Sequence, residues 1–138
     1  MAIFFYMWVL YNNNLLSVKV LSYAAGGCTL IAGILHLSLA SNVIGQNLPT
    51  GIFFLVAGIA QIFWTLPIVR TWGKVWNYLG IGGTIVLIII WVITRYSDNP
   101  ISGRAFPVNS IGIAIETFQI AFIVLSGIIL GRDKTRKE

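Results

Sequence analysis

Glu116 is the only acid inside any long apolar stretch of this chain. A charged side chain deep in a bilayer costs at least about 2.5 kcal/mol, so it needs a partner, a cavity or a proton. Gln119 follows three residues later, on the same face of a helix. His36 is the only histidine of the chain, and Gln61 is the only amide in its own apolar stretch. At 1.5 Å per residue, Glu116 lies about 12 Å and His36 about 6 Å below one membrane surface, with Gln61 near mid-depth. If their helices face inward together, His36, Gln61, Glu116 and Gln119 form one polar cluster in the outer half of a bundle. Arg95 stands at the mouth above it.

Three kinds of chemistry fit such a cluster. It can be a hydrogen-bonded knot that fixes helix packing, each contact worth about 0.6 to 2 kcal/mol. It can hold a proton, ammonium or another small cation at Glu116 and His36. It can bind a metal, since imidazole and carboxylate both ligate copper, zinc or iron; but His36 and Glu116 are only two ligands, fewer than a closed site uses. Cys28 offers a thiolate with no second sulfur near it, and reads as a small core residue. With one histidine, a bis-histidine haem site within the chain is excluded. No nucleotide-binding, hydrolase or zinc-protease motif is present, so no catalytic residue is assigned and no cofactor is required.

The elements that must position these residues are four apolar runs, at 18–40, 50–69, 76–94 and 108–130, each long enough to span a bilayer. The runs are continuous and do not alternate, which excludes a transmembrane β-barrel. The composition agrees: 57% of the 138 residues are hydrophobic and 9% charged, against roughly 25% charged in soluble domains. The expected fold is therefore all-α, an integral membrane four-helix bundle. Short links with Asn, Gly and Pro join the runs, so neighbours are expected antiparallel, up-down-up-down. Pro67 should bend or end the second span. Residues 1–17 form an apolar amino-terminal segment expected to lie in the interface, with a start at Met7 as the alternative. Residues 131–138 form a basic tail.

Orientation follows from the basic residues. Lys19, Arg70, Lys74, Arg132, Lys134, Arg136 and Lys137 share one side, against Arg95 and Arg104 on the other. Seven against two places both termini in the cytoplasm, with Trp72, Trp76 and Tyr78 as inner aromatic belt and Trp91 and Tyr96 as outer belt. The formal charge of +5 is concentrated near the carboxyl end. It suits an anionic membrane surface rather than nucleic acid. In the outer loop Arg95 and Asp98 can pair across one turn, which leaves Arg104 for a partner protein, a headgroup or an anion.

Small residues recur at helical spacing. Ala25, Thr29 and Gly33 do so on the first span, Gly80 and Thr84 on the third, and Gly127 and Gly131 form a GxxxG on the fourth. Such stripes let helices approach closely, within the chain or between chains. The even-numbered spans share a Gly-Ile start, Gly51-Ile52 and Gly112-Ile113, and a Gln-Ile step, Gln61-Ile62 and Gln119-Ile120. The echo is too short to be a repeat.

The segments LHLSLA, GIFFLVAGIAQIFWTLPIVRTWG, NYLGIGGT and WVITRYSDNPISGR, then VN and ETFQIAF, cover roughly Leu35 to Phe122. In these the chain resembles a family of small four-span membrane proteins from ammonia-oxidising archaea. The resemblance implies an archaeal cytoplasmic membrane and a place as accessory subunit of a larger complex, with archaeal ammonia monooxygenase as the candidate host. It transfers no catalytic role to any residue. The expected function is a non-catalytic auxiliary subunit whose partners are membrane lipids and other membrane subunits. The alternative is a small carrier or channel element that handles a proton, ammonium or metal ion through Glu116 and His36.

Overall fold

A computed structural model describes residues 1–12, 17–100, 103, 105 and 107–135, without the side chains of residues 7, 10–12 and 133–135. Arg104, Arg136 and Lys137 lie outside the described residues. The described residues form five helices: α1 (Ala2–Asn12), α2 (Val18–Val43), α3 (Leu48–Val69), α4 (Lys74–Tyr96) and α5 (Ser110–Thr135). The last four are long and apolar enough to cross a membrane, and the fold is all-helical.

Local chemistry sets the helix ends. Ser17 caps α2, its Oγ accepting from the Val20 amide at 3.2 Å. Asn47 caps α3 in the same way through Thr50, and a proline in the first turn costs that helix no hydrogen bond. Asn109 accepts from the Gly112 amide at 2.6 Å. The fourth spanning helix therefore starts at Ser110, two residues later than the apolar run suggests. At the other end it continues to Thr135. Similarly, α2 runs three residues past Ala40 to Val43. Pro67 lies within α3, which stops two residues later. The chain then turns sharply through Thr71 (φ 51°) and Gly73 (φ 141°), and the second of these angles is one that glycine adopts without strain.

Close packing holds α2 against α3. A Cβ on Gly33 would stand 2.9 Å from the Gly58 carbonyl oxygen, one on Gly58 would stand 2.9 Å from the Gly33 oxygen, and one on Gly51 would stand 2.5 Å from Ile44 Cα. Gly26 lies equally close to Val69. The contacts thus run in opposite order along the two helices. Helix α2 also packs on α5, and α5 on α4, while α3 and α4 touch least. Two apolar clusters fill the interior. One holds Leu21, Ala25, Ile68, Phe122, Leu125 and Ile129, and the other Leu39, Ala40, Phe54 and Ile115. Only 17% of the most apolar window of α4 is buried, against 44% for α2, so α4 is the outlying member. Among the described residues α1 packs on no other helix.

Candidate functional site

Thr29, His36, Gln61 and Gln119 are buried between the levels of the two apolar clusters. His36 on α2 faces Gln61 on α3, with imidazole Nδ1 2.7 Å from Gln61 Oε1 and 3.1 Å from the Ala32 carbonyl oxygen. The Ala32 oxygen can only accept, so Nδ1 carries the proton and donates to both oxygens. That leaves Nε2 of the ring and the Gln61 amide NH2 for other partners. The Phe54 ring, 5.8 Å away centroid to centroid, backs the imidazole. Thr29 of α2 donates to the Gln61 backbone oxygen at 3.3 Å, and Thr65, whose hydroxyl also bonds that oxygen within α3, reaches the Gly26 oxygen of α2 at 3.5 Å, which ties α2 and α3 together at this level. The glycines and alanines of the α2–α3 seam bring the two backbones close enough for these short side chains to bridge them.

Gln61 also lines a cavity of about 280 Å³ between α3 and α4, with Thr29, Thr84, Trp64 and Gly83 among its walls. The two helices meet near their connecting bend, where Trp64 Nε1 donates to the Trp76 carbonyl at 3.0 Å and Trp64 and Phe122 close on Gly80. Beyond that contact they separate. The rim residues Val56 and Leu79 are exposed, so the cavity opens on the outside of the bundle.

Glu116 has a different neighbour. It is half-buried on α5, one turn beyond Gly112, which lies against Trp91 of α4. Its electrostatic partner is Arg95 in the last turn of α4. Arg95 is buried to 7% exposure, donates to Thr94 Oγ1 at 3.1 Å and lies 5.6 Å over the Trp91 ring. This stacking helps a guanidinium remain at that depth. Asp98 braces the loop beyond, where its carboxylate accepts from the Ala105 amide at 3.2 Å.

The polar residues therefore do not form one cluster: His36 bonds Gln61, Glu116 lies on α5 within the electrostatic reach of Arg95, and no hydrogen bond between described residues joins the two places. Gln119 belongs to neither. It is 1% exposed, and neither atom of its amide has a hydrogen-bond partner. Ser126, fully buried and equally without a partner, was not singled out from the sequence. Its spacing of seven from Gln119, two helical turns, is the signal that places both on one face. Of the two candidate metal ligands, His36 bonds Gln61 and Ala32, and Glu116 lies on a different helix, α5. Among the described residues no group of three or more His, Cys, Asp and Glu could hold a metal ion.

The small-residue stripes also divide. Gly33 is used within the chain, in the α2–α3 seam, and Gly80 in the contact of α4 with α3 and α5. Gly127 and Gly131 are exposed, and a Cβ on either would meet nothing within 4 Å. No known protein family, curated protein or solved structure matches this chain.

Proposed function

We propose that this chain is a non-catalytic auxiliary subunit of a larger membrane enzyme complex. The observation that carries the reading is the unclosed α3–α4 side of the bundle. A cavity there has the Gln61 amide and Thr84 on its walls, and Gly83, where a side chain would meet nothing within 4 Å, borders it. Lipid tails offer neither hydrogen bonds nor a drive for helices to associate, so close packing and polar contacts hold such assemblies together. A helix of another subunit supplies both at this opening. The exposed glycine face of α5 offers a second place of close approach.

The resemblance to small proteins of ammonia-oxidising archaea points to the archaeal ammonia monooxygenase as host. The membrane is then the cytoplasmic one, crossed up-down-up-down with both termini inside. The opposite order of contacts along α2 and α3 supports the antiparallel arrangement, and the basic asymmetry supports the orientation.

A second reading, a carrier or channel element for a proton, ammonium or metal ion acting through Glu116 and His36, draws on the half-buried acid Glu116 within the span. Mild-detergent affinity purification from native membranes separates the two. Co-migration with a large enzyme in fixed stoichiometry, weakened at least several-fold by Gly83→Leu, is the expected result. A homo-oligomer with a bound ion, unaffected by Gly83→Leu, would favour the carrier.

A further inference from the structure

At the opposite end of the α3–α4 pair from the open seam lies a second hollow, larger and of different character. Its volume is about 500 Å³. It collects the start of α2, the end of α3, the start of α4 and the last third of α5. Lys19, Arg70 and Lys74 wall it, with Ser22, Thr71 and Asn77, and Val69 and Ile129 complete an apolar side. Among the described residues that wall it, none is acidic. The cations come from three separate places in the sequence, and only the folding of four helix ends brings them around one space.

We propose that this hollow binds a phosphate-bearing anion, the headgroup of an acidic phospholipid. Three cationic side chains around one cavity attract an anion. The amino-terminal ends of α2 and α4 and the carboxyl end of α3 all reach the cavity, so their dipoles partly offset and the attraction comes chiefly from the three side chains. Ser22, Thr71 and Asn77 supply neutral hydrogen-bonding groups for phosphate or headgroup oxygens. The depth is right for a lipid rather than a soluble ion. The cavity lies at spanning-helix ends, beside Trp72 and Trp76, whose rings are 5.3 Å apart and whose residue type favours the headgroup level. Exposed Val20 and Val75, next in sequence to Lys19 and Lys74, offer the lipid's chains an apolar surface to lie along. Basic pockets between spanning helices are a general means of holding acidic lipids. The site needs no partner subunit and does not rest on the proposed function.

Thermal stability of the purified full-length chain in detergent tests it, with phosphatidylglycerol, phosphatidylcholine or inorganic phosphate added. Phosphatidylglycerol should raise the melting temperature, and the other two should not. The combined Lys19→Gln, Arg70→Gln and Lys74→Gln variant should lose the shift, while Arg136→Gln with Lys137→Gln in the tail should keep it. Lys19→Gln alone, at an exposed position, should weaken phosphatidylglycerol binding about fivefold and preserve folding. Raised salt should weaken the lipid effect. An equal shift with phosphatidylcholine overturns the site. So does an unchanged affinity in Lys19→Gln together with a full shift in the triple variant. A shift of equal size with inorganic phosphate overturns the lipid as its source.

Discussion

His36 and Gln61 are joined by a single short hydrogen bond in an interior where water cannot replace it. Contacts of this kind between spanning helices average about 0.6 kcal/mol and reach about 2. A double-mutant cycle with His36→Phe and Gln61→Leu, read by reversible unfolding in detergent, should give a coupling of about 1 kcal/mol. Additive effects would mean the pair does not hold the helices. Each of these residues was legible in the sequence, because a polar side chain in an apolar run stands out. Their pairing was not. Glu116, expected in one cluster with His36, has Arg95 as its electrostatic partner, and Gln119 is enclosed without a hydrogen bond. Which side chains meet depends on how each helix is rotated about its axis. That rotation is set by small residues distributed along the seams, such as Gly33 against Gly58, and not by the polar residues themselves.

At the scale of the helices, the glycines separate into those already enclosed and those open. Gly33→Leu would drive a side chain into the Gly58 carbonyl and Ile62, and Gly80→Leu into Trp64 and Phe122. Overpacking of this kind costs about 1 to 3 kcal/mol, and both variants should unfold earlier than the parent chain. Gly83→Leu, and Gly127→Ile with Gly131→Ile, enter open space and should leave the isolated chain within about 0.5 kcal/mol of its parent. Thermal melts of all four compare directly, and a large loss in the Gly127 and Gly131 double variant would show that the chain's own packing uses that face. The apolar runs made the four spanning helices legible from length alone. Their ends were less so, because Asn109 and the Ser41–Val43 extension act through local capping and helix continuation in polar sequence. The GxxxG spacing on the fourth span identified a smooth face without identifying what covers it. Gly58, which does meet a glycine of a neighbouring helix, carries no such spacing.

For the molecule as a whole, the described helices α2 to α5 form a bundle tight on the α2 side and open between α3 and α4. Orientation is tested by thiol labelling in a Cys28→Ala background. Trp72→Cys should react from the cytoplasmic face and Tyr96→Cys from the outer face, and the reverse pattern would invert the topology. The central claim, a subunit that receives another protein in its open seam, is tested most directly by crosslinking at the seam itself. A benzophenone attached through Gly83→Cys, in native membranes and the same Cys28→Ala background, reports what lies beside α4. The same probe at Ile34, exposed on the outside of α2, serves as reference. The account predicts one discrete protein adduct of constant mass from position 83 and none from position 34. Lipid adducts alone from position 83, or the same adducts from both positions, would contradict it.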